Sequence, residues 1–181
     1  MNHDDVLKLK AAVLYIVNKC GEIGYFHLFK ILYFANREHY AKYGRGVIKD
    51  TFCALPKGPV PSFLFDAVKN LSSTPKGGEY KVISDSLCNQ DPTYYYLLSA
   101  KELPDMDELS VSDIECLDKS IKENKNLDIN TLSNKSHDEA WREVRTAHGK
   151  MNNLSIAKAG GANDALLEYI KEYELIDSLI E

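Results

Sequence analysis

The chain has 181 residues, 44% of them hydrophobic and 27% charged, with a formal net charge of −5. That length and composition suit one domain with its own core and exclude a disordered chain, which carries far less apolar material. Asp164, Glu168, Glu172, Glu174, Asp177 and Glu181, against Lys171 alone, account for the whole negative excess, so the body is neutral and lacks the basic footprint that drives nucleic-acid binding.

The opening MNHDD is acidic where a signal peptide is basic, and the apolar run 11–17 falls far short of the roughly 20 residues that span a bilayer. A cytoplasmic protein with no membrane partner is expected. Asp4 or Asp5 caps a first helix to about Asn18, with Val6, Leu9 or Lys10, Val13 and Val17 on one stripe, and Gly21 ends it. This reads as an amphipathic surface helix. From Tyr25 to Ala35 the next helix is apolar on all sides apart from His27 and Lys30, the pattern of a central buried helix whose later, more polar end runs into solvent. Residues 51–55 read as a short strand, and PKGPVPS as a rigid elbow in which three prolines fix φ. Ser62 or Pro61 then starts a helix with Phe63, Ala67 and Leu71 or Val68 inward.

Residues 79–83 and 93–98 alternate polar and apolar, which predicts an antiparallel hairpin around the loop SDSLCNQDP. Ser112 with Glu115 makes a capping box ahead of Ile114, Leu117 and Ile121. A shorter helix follows near 130–132, and SHDEAWREV opens another that turns Trp141 inward. The fold expected is mainly α (α+β): a helical domain around a central buried helix with a small antiparallel sheet. It spans 1–145 and is followed by a Gly-rich linker at 146–163 and an acidic amphipathic helix at 164–181, capped by Asp164 and carrying Leu166, Ile170, Tyr173 and Ile180 on its apolar stripe.

Chemistry-bearing constellations are scarce. Cys20, Cys53, Cys88 and Cys116 form no C-x-x-C pair and read as reduced, mostly buried thiols. Cys53 with His137 is the one conceivable nucleophile and base, but four cysteines and five histidines produce such a pair by chance, and Cys53 fits a small core residue better. His27 and His39 lie near helical register without a third ligand, so no metal site is expected. Lys30 is the oddity, an ammonium inside an apolar helix that must either snorkel or find a partner. His137 reads as a cap or as a donor to a buried carbonyl. Tyr94, Tyr95 and Tyr96 pack the hairpin or, with Tyr40 and Tyr43, offer exposed rings to a partner.

The stretch FKILYFANREHYAKYGRGVIKDTFCALPKGPVPSFLFDAV resembles the N-terminal half of the Panacea domain, known from SocA-like antitoxins and phage-associated proteins. Lys30, Ile31, Leu32, Tyr33, Phe34 and Ala35 match its K-[IL]-L-Y-[FY]-A helix. Gly58, Pro59 and Val60 match its Y-G-P-V-like elbow, with Lys57 where the family often has Tyr. Leu117, Leu132, Ser136, His137, Glu139 or Asp138, and Trp141 echo a third element ending in H-x-E-x-x-W. The resemblance spans roughly residues 6–144. It implies a helical domain that binds and neutralises a co-encoded toxin, or hands the toxin to a protease, without catalytic residues or cofactor. Lys30, Tyr33, Gly58, His137 and Trp141 are the motif residues expected to shape the fold. Tyr40, Tyr43, Lys57, Pro59 and Pro61 are those expected at the partner surface, because rigid rings lose little entropy on binding. The competing classes are a DNA-binding or phage-associated regulator, which needs a basic recognition helix, and an enzyme, which needs a pocket of perturbed titratable groups.

Overall fold

The computed structural model describes residues 1–71, 77–91 and 97–180. Its centre is a pair of helices, α1 (His3–Cys20) and α2 (Tyr25–Tyr43), joined by the short strand β1 (Ile23–Gly24). Helix α2 is the expected central element: every residue from Leu28 to Asn36 is buried, including Ile31, Leu32 and Phe34. Gly44 closes it in the left-handed region, its N–H donating to the Tyr40 carbonyl. The expectation for α1 needs correcting in two respects. Asn2, not an aspartate, caps it by accepting from the Asp5 N–H, and the unbroken run from Ala11 to Val17 is buried, so α1 belongs to the core.

Phe52–Leu55 forms β2 as expected, but the proline elbow is itself a strand, β3 (Gly58–Pro61), paired antiparallel with β2 across a turn at Pro56 and Lys57. Pro59 and Pro61 fit there because the sheet has two strands and leaves β3 at an edge, where missing N–H groups cost no ladder bond. Helix α3 (Ser62–Lys69) follows with Leu64, Ala67 and Val68 buried. Its N-terminal amides at Phe63 and Leu64 are bound by Asp50, twelve residues before its first turn, at 3.0 and 2.9 Å.

The segment 79–83, expected as a strand, is the helix α4 (Glu79–Ser84). Its Ile83 is fully buried and its Tyr80 ring stacks on Phe63, so packing overrides the strand preference of Tyr, Val and Ile. A hairpin does exist, but it uses β4 (Leu87–Asn89), placed in the expected loop, and β5 (Leu97–Ala100), with β1 completing the order β1-β5-β4. Residues 93–96, including Tyr94, Tyr95 and Tyr96, lie outside the described residues.

Helix α5 (Val111–Asn124) packs on α2, and the Ser120 hydroxyl donates to the Ile31 carbonyl at 2.7 Å. Its capping box is Ser110 with Asp113, two residues earlier than Ser112 with Glu115. Asp113 has a second task. Fully buried, it accepts from Lys8 at 2.9 Å and from Arg45 at 3.0 Å, and stands 3.1 Å from the His39 ring, joining α1, α2 and the loop after α2. Burial pushes its carboxyl up, yet His39, Lys8 and the Ser110 backbone outweigh that and hold it well below the ordinary carboxylate range.

α6 (Ile129–Ser136) and α7 (Glu139–Val144) match the two short helices expected, with Trp141 buried. The segment 146–163 is not a bare linker. It carries α8 (Asn153–Ala159), whose Ile156 and Ala157 are fully buried against α2, and a bridge from Lys150 to Cys53. α9 (Asp164–Ile180) is capped by Asn163, which accepts from the Leu166 N–H at 2.9 Å, and not by Asp164.

Two outcomes follow from this packing. Leu32→Ala opens a cavity at the centre of α2 and is expected to lower unfolding free energy by about 2–5 kcal/mol in denaturant melts. Asp113 has a depressed folded pKa, so its stabilisation is complete above the ordinary carboxylate value near 4 and fades as pH falls below it. The stability gap between wild type and Asp113→Asn is therefore expected to be constant from pH 5 to 7 and to shrink from about pH 4 downward.

Candidate functional site

The motif residues converge. Lys30, Tyr33 and Arg37 recur at helical spacing along one side of α2, facing the β2–β3 hairpin and the junction of α6 with α7. The Lys30 ammonium does not snorkel. It is fully buried, donates to the Pro59 carbonyl at 2.7 Å and lies 4.7 Å from the centre of the Phe26 ring. Burial brings its pKa down to about 7. Gly58 sits beside it at φ +102, where a Cβ would overlap the Ser136 hydroxyl and come within 2.9 Å of Lys30 Cε. Only glycine allows hairpin, α2 and α6 to meet so closely.

Asp138 gathers the next contacts. Its carboxylate accepts from the Tyr33 hydroxyl at 2.7 Å and from Arg37 at 2.8 Å, and its other oxygen caps α7 by accepting from the Trp141 N–H at 3.2 Å. The Trp141 indole N–H in turn donates to the Leu55 carbonyl of β2 at 2.9 Å. His137 lies flat on Trp141, ring centres 3.7 Å apart, and takes part in a hydrogen bond with the Pro56 backbone. Burial and then the Lys30 charge hold its pKa below the usual value. A buried carbonyl is the partner expected for His137, and Pro56 is an exposed turn residue; Asp138 enters the sequence reading only as the alternative to Glu139 in the third motif element, and Arg37 has no role there. Their signal was the N-cap pattern ahead of Trp141 and an arginine seven residues after Lys30.

The residues expected at the partner surface do not meet. Tyr40, Pro59 and Pro61 are buried, Tyr40 beneath α9 and the two prolines within β3. Tyr43 is 42% exposed and Lys57 is exposed at the hairpin turn. The hairpin meets α2 at Lys30, and Lys30 and Tyr43 are roughly 20 Å apart along the helix axis. The later half of α2 is covered in part: His39 and Tyr40 are buried where solvent is expected, while Lys42 and Tyr43 at its far end are exposed. A groove of about 840 Å³ opens there, with Tyr40, Tyr169, Tyr173, Lys8, Arg45 and Lys49 among its lining residues.

Cys53 is pushed up by burial and then by the charge of Asp50, the opposite of what a nucleophilic thiolate requires. Among the described residues no group of three His, Cys, Asp or Glu side chains is placed to hold a metal ion, and no helix is long and apolar enough to cross a membrane.

These observations define a mainly helical domain whose central helix carries a hairpin and a short tryptophan helix on one flank. The family model described as antitoxin SocA-like, Panacea domain, matches residues 28–142, and the chain belongs to that family. The match begins within α2 and ends within α7, so it contains the whole Lys30–Asp138–Trp141 junction and leaves out α1, α8 and α9. Comparison with curated proteins and with solved structures gives no match.

Lys30 supplies the sharpest test of this geometry. Its folded pKa lies below that of the unfolded chain, so the native state resists the charged form, and that penalty is relieved as pH rises from about 7 towards 10. Wild type is expected to gain roughly a few kcal/mol of stability relative to Lys30→Met across that range, read from denaturant melts at pH 7, 8.5 and 10. A difference that does not change with pH would place the ammonium in solvent.

Proposed function

We propose that this protein is the antitoxin of a toxin-antitoxin pair: it binds a co-encoded toxin directly, and neutralises it by occlusion or by delivering it to a protease. The observation that carries the reading is the family match over residues 28–142, together with a motif set that builds structure instead of chemistry. Lys30, Tyr33, Gly58, His137 and Trp141 are consumed in holding the hairpin and α7 on α2, which is what a rigid binding scaffold needs. In this reading the chain catalyses nothing and takes no cofactor. It works in the cytoplasm, which its four free cysteines suit. Its acidic balance argues against a DNA-bound role.

Of the residues first expected at the interface, Tyr43 and Lys57 present side chains to a partner, while Tyr40, Pro59 and Pro61 act from beneath by supporting α9 and β3. An interface of ordinary size, about 800 Å² per partner, is wide enough to reach both exposed positions. Co-expression of the neighbouring gene tests the reading: that product alone is expected to arrest growth, and this chain to restore it and to co-purify with it. Tyr43→Ala is expected to weaken the complex by more than about 1 kcal/mol in calorimetric titration while leaving the melting temperature unchanged. A wild-type chain that neither restores growth nor binds would remove the antitoxin reading.

A further inference from the structure

Helix α9 is anchored only along part of its length. Ile170 is buried, Glu174 accepts from the Asn153 side chain at 3.0 Å, and the Tyr169 ring lies over Gly44, where a Cβ would approach it to 2.7 Å. Tyr169 and Tyr173 border these anchors and stay half exposed, at 51 and 47%, and Ile176 and Leu179 continue the row outward at 56 and 78%. Residues 169, 173 and 176 follow the i, i+4, i+7 spacing, and 172, 176 and 179 repeat it one turn on, so they line one continuous face. Large apolar side chains exposed elsewhere among the described residues, such as Leu103 and Val111, do not form a comparable run along one helix. A contiguous stripe of this kind on an otherwise well-packed chain marks a place where another molecule docks.

The charges around the stripe select the occupant. Glu168 and Glu172 are exposed on the same side, one turn apart, a like-charge spacing that weakens an isolated helix and is relieved by a cation between them. Across 164–181 the sequence carries six acidic residues against Lys171, itself engaged with Glu168 at 3.4 Å. A second copy of α9 would bring the same excess of carboxylates against it, and an anionic lipid surface would repel it. A cationic segment meets both demands. A helix is the shape that matches an i, i+4, i+7 stripe, and the groove beside Tyr169 and Tyr173 offers depth for one of its anchoring side chains.

We propose that the outward face of α9 is the docking surface for a basic amphipathic helix of the toxin, with Tyr169, Tyr173, Ile176 and Leu179 covering its apolar stripe and Glu168 and Glu172 pairing with its lysines or arginines. This rests on the antitoxin reading and deepens it. Because α9 lies outside the span that the family model matches, the choice of partner then resides in an element separate from the family-defining junction.

The test uses the full chain and the neighbouring gene product that arrests growth when expressed alone. Two double variants are compared with wild type: Ile176→Ser with Leu179→Ser, which removes apolar area without altering charge, and Glu168→Lys with Glu172→Lys, which reverses the field. All four positions are exposed, so circular dichroism and melting temperature are expected to stay at wild-type values. The serine variant is expected to raise Kd at least tenfold and to lose growth rescue. The lysine variant is expected to associate at least tenfold more slowly at low salt and to lose the salt dependence of the wild-type rate. If wild type rescues and both variants bind within twofold of it, the α9 proposal is overturned while the antitoxin reading stands. If wild type itself neither rescues nor binds, the reading beneath it fails and the proposal falls with it.

Discussion

Placing an ammonium in the middle of a helix that is buried on every side constrains most of what surrounds it. Lys30 cannot reach water from its position on α2, so an acceptor has to come to it, and the Pro59 carbonyl does. That single requirement fixes β3 against α2. It makes Gly58 obligatory, because any side chain there would collide with Lys30 or with Ser136 of α6. It also brings the β2–β3 turn under His137 and the Leu55 carbonyl under Trp141. Asp138 completes the junction one turn further along α2, using one oxygen for Tyr33 and Arg37 and the other for the start of α7. The half-buried Asp138 carboxylate pairs with Arg37 and the buried Lys30 ammonium with a backbone carbonyl, so each is satisfied separately, on neighbouring turns.

What could be read from the sequence follows from how local the physics is. The all-apolar text of α2 announces its place in the core, and the acceptor-before-helix patterns at α5, α6 and α7 announce their starts to within two residues. Lys30 stood out because charge and periodicity conflict at one position. Long-range polar satisfaction was not legible. Nothing near Asp50 says that it caps a helix twelve residues later, nothing near Asn36 says that it holds both backbone groups of Ile48, and nothing near Asp113 says that it collects Lys8, His39 and Arg45. Helix α4 was misread for a related reason: Tyr80, Val82 and Ile83 favour strand in isolation, and only the neighbouring Phe63 and the core beneath Ile83 make a helical turn the better burial. Tyr40 looked exposed because α9, which covers it, begins more than a hundred residues later.

The functional half of the chain is divided in the same way. The span that defines the family is the scaffold, where side chains such as Trp141 and Tyr33 are turned inward and fully employed. Among the described residues the exposed aromatic and aliphatic side chains include Tyr43 at the end of α2 and a row along the acidic helix α9, with Leu103, Met106 and Val111 standing apart. A scaffold whose motif side chains are engaged within the fold, with an acidic and apolar helix at its periphery, suits a protein that recognises another protein, since a change on that helix leaves the junction undisturbed.

The claim that hairpin and α7 are held on α2 as one unit is tested most directly by native-state hydrogen exchange on wild type and Asp138→Asn. Losing the carboxylate weakens the Tyr33 and Arg37 contacts together with the α7 cap. The expected result is that amides of 52–61 and 139–144 lose protection together and by similar factors, while those of α1 and α5 keep theirs. Loss confined to the first turn of α7, with 52–61 unchanged, would contradict the account and reduce Asp138 to a helix cap.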